Sequence, residues 1–231
     1  MSTTFFQKVE PVSKKVRVVA SLKEAILSGA IQSGEQIVEG KIAQQFGVGQ
    51  GLIREALIEL EHQGFVTRTP FSGTQVPKLG LEDAQQIFDI RICLEPLAVE
   101  LAGKKATQEQ LSELQELVVR AKEGAESKNL DTFFENHLAF RRKIWKLSEN
   151  KYLQQALERI VTPLFALYLI RGSFNREGLL QTVIECIEHE EKIMKAFHRG
   201  NLAEAGQIAR DFLVRMKDNL GSKLLPTVDK E

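Results

Sequence analysis

The sequence predicts a mainly α-helical protein in two parts. An N-terminal winged helix-turn-helix with a small β wing precedes an all-α antiparallel helical bundle. Three observations predict this. Between Gln36 and Val76, a short apolar-periodic helix, a Gly-Val turn, a second helix and two short strands follow in order. After Leu81, every apolar stretch repeats with the helical period and none alternates as a strand does. At 231 residues the chain is long for one domain and comfortable for two.

Residues 1–12 lack periodicity and read as a loose arm. A helix follows from about Val16 to Ser28, with Val19, Leu22, Ile26 and Leu27 expected inward, and Gly29 and Gly34 close it. Gln36-Ile37 reads as a short strand. Glu39–Phe46 is the first helix of the helix-turn-helix, Gly47-Val48 its turn, and about Gln50–Gln63 its second helix. This arrangement lays the second helix in a DNA major groove. Two strands meet around Ser72-Gly73, the wing ends near Val76, and Pro77–Gly80 reads as a linker. The expected units are a DNA-binding domain at 13–78, a helical domain at 79–223 and a tail at 224–231.

In the helical domain, Ile87, Ile90, Leu94, Leu97, Ala98 and Leu101 mark one helix, and Leu111, Leu114, Leu117, Val118 and Ala121 mark another. Further helices run over about 131–147, 151–170, 177–198 and 202–220, joined by short links, as in an antiparallel bundle.

Composition narrows the function classes. The chain is 43% hydrophobic and 27% charged, within the globular range, with no run of 18 apolar residues to span a membrane. No signal-peptide core precedes the first helix. Cys93 and Cys186 lack metal-type spacing and read as free thiols of a cytoplasmic protein. The formal net charge is zero. Residues 1–78 hold nine Lys/Arg against seven Asp/Glu, an excess of only two. One copy should therefore hold DNA weakly, and a homodimer spanning two half-sites eases this.

The residues of the first part closely resemble the GntR family of bacterial transcription regulators. Carrying the resemblance are Ile42-Ala43 with Phe46-Gly47-Val48, Arg54-Glu55-Ala56-Leu57, Leu60-Glu61 with Gly64-Phe65-Val66, and Gly73-Thr74-x-Val76. Ile26-Leu27-Ser28-Gly29 and Gly34 extend it upstream. Relatives begin the second helix with Ser-Arg-Thr-Pro, where this chain has Gly49, Gln50, Gly51 and Leu52. Gly49 still serves as an N-cap at a cost of a few tenths of a kcal/mol against Ser. Gln50 exchanges an Arg–guanine contact for a Gln–adenine one, which puts the family's usual half-site in doubt.

The second part resembles the FCD ligand-sensing domain of the FadR subfamily. The carrying residues are Arg91-x-x-Leu94-Glu95, Phe140 with Ser148-x-Asn150-x-x-Leu153, Glu188-His189, Ala196, and Gly200-Asn201 with Ala205.

Several residues are candidates for chemistry. Gln50 and Arg54, four apart at the start of the second helix, are expected to read bases. Lys41, Ser72, Lys15 and Arg17 are expected near phosphates, and Gly73 lets the wing turn with φ > 0. Arg91 points within about 60° of Ile87, Leu94 and Ala98, and an inward Arg needs an anionic partner. That partner is either an internal carboxylate or the acid group of an effector. His137 and Arg141 share one face with Phe133, Phe140, Ile144 and Ser148, the composition of a small polar pocket. His189 sits at the edge of its helix's apolar stripe, as a rim residue or a member of the site. Trp145 and Tyr168 read as packing.

Many FCD domains hold a divalent metal with an Asp, two separate His and a Glu-His. Aligned on Phe140 and Ser148-x-Asn150, those positions hold His137, Arg141, Glu188-His189 and Phe212. No metal and no other cofactor is therefore expected. Arg141 can offer an anion the positive charge that a metal would, bidentately.

The resemblances imply a regulator, most commonly a repressor relieved by ligand, acting as a homodimer on a palindromic operator in double-stranded DNA. The residues point to a small carboxylate or phosphate effector held by Arg91, His137, Arg141 and His189. Two alternatives remain. The helical domain is degenerate and only dimerises, or the chain is a helical-bundle metal-dependent enzyme. The second lacks a clear nucleophile, so no residue is expected to be catalytic.

Overall fold

A computed structural model describes residues 14–69, 73–172 and 176–220; for 165–172 and 176–178 it describes the helical backbone alone. The expected arm at 1–12 and tail at 224–231 lie outside the described residues, as do Ser72 and the side chain of Tyr168. The chain divides into two compact units, Met1–Pro77 and Lys78–Glu231.

The first unit runs α1 (Lys14–Leu27), β1 (Gln36–Ile37), α2 (Glu39–Phe46), α3 (Gln50–His62), β2 (Thr67–Thr69) and β3 (Gly73–Gln75). The strands form one antiparallel sheet in the order β1-β3-β2, with Ile37 opposite Thr74 and Thr69 opposite Gly73. Its core packs Val18, Leu22 and Ile26 of α1 against α3, which buries Ile53, Ala56, Leu57 and Leu60. Phe65, Val66 and Val76 seal the sheet side. The expected inward set of α1 is off by one residue at its start. Val18, not Val19, is buried, and Val19 and Leu27 are half-buried. Residues 18, 22 and 26 lie on one row four apart, and that row faces α3.

The sharp turn between α2 and α3 depends on Gly47. Its φ of 62° is left-handed, and Val48 N–H donates back to the Ala43 carbonyl to close α2. Gly49 caps α3 with extended backbone and no side-chain bond.

The described residues of the second unit form a bundle of six helices: α4 (Leu81–Lys105), α5 (Gln108–Glu126), α6 (Leu130–Leu147), α7 (Lys151–Gly172), α8 (Arg176–His198) and α9 (Leu202–Asp218). The joints are short because caps stop and restart the helices abruptly. Thr107 and Gln110 form a reciprocal capping box for α5, while Asn129 and Asn201 cap α6 and α9. α4 lies along α9 and also packs on α6 and α7, and α8 packs on α5 and α9. No helix among the described residues is long and apolar enough to cross a membrane.

The inward face of α4 differs from expectation. The buried row is Ala84, Phe88, Arg91, Glu95, Ala98 and Ala102, while Ile90 and Leu97 are 41% and 44% exposed. The helix carries two apolar rows, and hydrophobicity alone does not say which one faces the core. α9 closes on α4 where Gly103 meets Leu202 and Gly206 meets Glu100, and the row of Ala84, Ala98 and Ala102 is the one buried. Arg91 and Glu95 go in with it.

Candidate functional site

Two places gather polar chemistry. The first is the exposed start of α3. Gln50 and Arg54 both face solvent on adjacent turns. Arg54 donates from Nε and Nη2 to one oxygen of Glu39, the first residue of α2, at 3.2 and 2.9 Å. Glu39 thereby aims the guanidinium and raises its pKa, through the hydrogen bond first and charge second. Glu39 escaped sequence reasoning because the pair bridges two helices 15 positions apart. Lys41 and Arg17 are exposed and Lys15 is half-exposed. Gly73 has φ 82°, the left-handed conformation expected of it at the wing tip.

The second place lies inside the bundle, where α4, α6, α8 and α9 converge. Arg91 Nε donates to Glu95 Oε1 at 2.5 Å, and Arg141 Nη1 donates to Glu95 Oε2. All three side chains are at least 95% buried. One carboxylate thus holds two guanidiniums from two helices. The first step, Arg91 to Glu95, runs four residues along α4, a spacing the sequence shows, although the partner of Arg91 was left open there. The second, between α4 and α6, was not.

Beside this triad, His137 Nδ1 meets Glu190 Oε1 at 2.6 Å. His137 stacks on Phe133, and His189 stacks on Phe212 with ring centroids 4.0 Å apart. His189 is therefore a buried member of the cluster, 2% exposed, and not a rim residue. The Glu of the Glu188-His189 pair is displaced from its expected role. Glu188 is 61% exposed toward Lys192, and Glu190 takes the inward place. A helix turns about 100° per residue, so these two acids lie about 200° apart, and when Glu190 faces the core Glu188 faces solvent.

The electrostatics follow from burial and pairing. Burial disfavours the His137 imidazolium, but Glu190 and then Cys186 outweigh it and push its pKa up to about 9. Burial also opposes the charge on Glu95, and its two guanidiniums overcome that and lower its pKa. His189 has no such partner. Burial, then the charges of Arg141, His137 and Arg91, drive it well below the ordinary value, so it is neutral.

The donor set fits a divalent metal poorly, because the Arg91 and Arg141 guanidiniums beside His137 and His189 would repel a cation. Among the described residues no group of three or more His, Cys, Asp and Glu is arranged to hold a metal. The cluster instead offers hydrogen-bond donors and positive charge in a desolvated place. Trp145, 1% exposed, is core.

Comparison with known proteins covers both units. Residues 14–76 match the model of the bacterial regulatory proteins of the gntR family, and residues 86–215 match that of the FCD domain. The chain is similar to the uncharacterized HTH-type transcriptional regulator YdhC of Bacillus subtilis, 30% identical over 67% of this chain and 70% of that protein. It is similar to the HTH-type transcriptional regulator McbR of Escherichia coli, 29% identical over 66% and 69%. A gluconate operon transcriptional repressor of Bacillus licheniformis is 29% identical over 61% and 58%. In fold it is similar to the solved E. coli McbR/YncC, with a TM-score of 0.67 at 22% identity over 92% of this chain and 99% of that one.

Proposed function

Since this chain belongs to the GntR family of bacterial regulatory proteins and carries an FCD domain behind its DNA-binding head, we propose that it is a repressor whose grip on its operator is set by a small organic anion. DNA-binding transcription regulation is the activity of the family, and its relatives are regulators, not enzymes. The finer reading concerns what is read and what is sensed. Gln50 and Arg54 read bases, Lys41, Lys15, Arg17, Ser72 and Gly73 meet the backbone, and two copies occupy a palindromic operator in the cytoplasm. The outer row of α4, with Ile90 and Leu97 exposed between half-buried Ile87, Leu94 and Leu101, supports pairing of two copies.

One observation carries the effector reading. Arg141 is buried, and only one of its three nitrogens is hydrogen-bonded. Arg91, His137 and His189 surround the same place. The relatives named as gluconate operon repressors fit an acid-sensing regulator. An effector works only by binding one spacing of the two heads better than the other.

Glu95 supplies an internal anion to both guanidiniums, which favours a second reading: a purely structural charge cluster in a domain that only dimerises. Arg141→Ala separates the two. Under the effector reading the variant folds and binds operator, but its operator binding no longer responds to an acid that shifts the wild type. Affinity for that acid, by calorimetry, falls about ten-fold to over a hundred-fold. Equal affinity in both proteins leaves the structural cluster.

A further inference from the structure

The first two residues of α2, Glu39 and Gly40, each meet one of the two exposed polar residues that open α3. Arg54 gives both Nε and Nη2 to the same Glu39 oxygen, at 3.2 and 2.9 Å. The side chain of Glu39 is recessed, at 23% exposure, while that of Arg54 is 58% exposed. One edge of the planar guanidinium is thus anchored. The opposite edge, Nη1 with the second N–H of Nη2, is the fork that grips O6 and N7 of a guanine. An exposed pair of this kind adds little to stability, so the anchoring is its main effect.

Gly40 meets Gln50 in another way. It lies in the first turn of α2 and is not among the left-handed glycines. Its backbone therefore does not call for glycine, and glycine weakens a helix. A Cβ at this position would stand 3.2 Å from Nε2 of Gln50, closer than side chains ordinarily pack. At Gly49 and Gly51, on either side of Gln50, a Cβ would meet nothing within 4 Å. The bare backbone of Gly40 is the seat of the Gln50 amide.

Glu39 has a second effect through its charge. A carboxylate on a face that meets phosphates opposes the binding of any duplex, and it occupies the Arg54 charge that would otherwise serve as a general phosphate contact. Arg54 then contributes most where a base accepts its open edge.

We propose that Glu39 and Gly40 determine specificity: Glu39 fixes Arg54 and withholds its charge from phosphates, Gly40 seats Gln50, and the first turn of α2 thereby sets which base pairs α3 reads. This rests on the reading of Gln50 and Arg54 as base contacts.

The test uses the full chain. A binding site is selected from random double-stranded DNA. Anisotropy at fixed salt then gives the affinity for that site, for each single-base-pair variant of it, and for an unrelated duplex. Arg54→Ala and Gln50→Ala mark the base pairs that each side chain reads. Glu39→Ala is expected to lower the preference at the Arg54 base pair by about five-fold or more. It is also expected to tighten binding to the unrelated duplex by about two-fold or more, with Tm within about 2 °C of the wild type. Gly40→Ala is expected to lower the preference at the Gln50 base pair by about three-fold or more and to leave the Arg54 base pair unchanged, with Tm equal or higher. If either variant keeps the wild-type preferences, or loses affinity equally for every duplex, the inference is overturned while Gln50 and Arg54 remain base contacts. If Arg54→Ala and Gln50→Ala themselves change no preference, the base-reading assignment falls, and this inference with it.

Discussion

Glu95→Gln is the sharpest perturbation of the bundle. Glu95 is 1% exposed and lies between two guanidiniums that are each 4% exposed. The substitution keeps the shape of the side chain and removes its charge. The two cations then face each other with no anion between them. Breaking a buried ion pair by neutralising one partner costs about 3–5 kcal/mol, because the remaining charge is buried without compensation. Here two charges are stranded, so the upper part of that range applies. The unit holding Glu95, Lys78–Glu231, has the size for which each kcal/mol shifts the midpoint by about 2–4 °C. The expected fall in Tm is therefore about 8–20 °C, measured by circular dichroism on the full chain. Glu188→Gln on the exposed face of α8 is the control, and its Tm is expected to move by about 2 °C or less. Replacing Arg91, Glu95 and Arg141 together by Met, Gln and Leu should recover much of the loss, since it removes the stranded charges. A Glu95→Gln protein as stable as the control would refute the reasoning, and would mean that water or a counter-ion reaches the two guanidiniums.

Other outcomes follow from the same geometry. The His137 pKa is raised in the folded protein, so its contribution is full below the unfolded value near 6.5 and is lost as pH rises through about 9. Stability should decline by on the order of 3 kcal/mol across that interval, and His137→Gln should flatten the decline in a series of denaturant titrations. His189 is depressed, so its contribution is present above about 6.5 and is lost as pH falls, placing the optimum near that value. Arg54→Ala should weaken operator binding about five-fold to over a hundred-fold per half-site and relax one base preference; anisotropy at fixed salt would show unchanged affinity and preference if Arg54 does not read a base. Protein purified without chelator should hold no stoichiometric zinc, nickel or manganese by elemental analysis. One metal per chain, lost on His137→Ala, would contradict the imidazolium assigned to His137.

The helix-turn-helix was legible because its signals are local. Gly47 after the periodic run of α2, and Gly49 before that of α3, fix the turn through backbone conformation alone. Arg91, His137 and Arg141 were legible as inward polar residues because four-residue spacing fixes a face. What sequence left open was the identity of their partners. Glu95 lay in plain view beside Arg91, yet α4 offered a second apolar row that placed it elsewhere. Glu190 was hidden by its neighbour Glu188, which carries the familiar Glu-His pattern but points to solvent. Glu39 meets Arg54 only because α2 and α3 cross. In each case the missing information is how one helix is rotated against the next, and side-chain size settles that at the contact.

The two rows of α4 have a consequence of their own. A single rigid rod of 25 residues presents Arg91 and Glu95 on one side and Ile90 and Leu97 on the other. A second subunit resting on the outer row and an anion drawn to the inner one would bear on the same backbone. Neither could bias the rod's position without the other sensing it, and thermodynamic reciprocity makes the influence equal in both directions. Anion affinity in such a protein would drift with protein concentration, and dilution alone would retune the sensor.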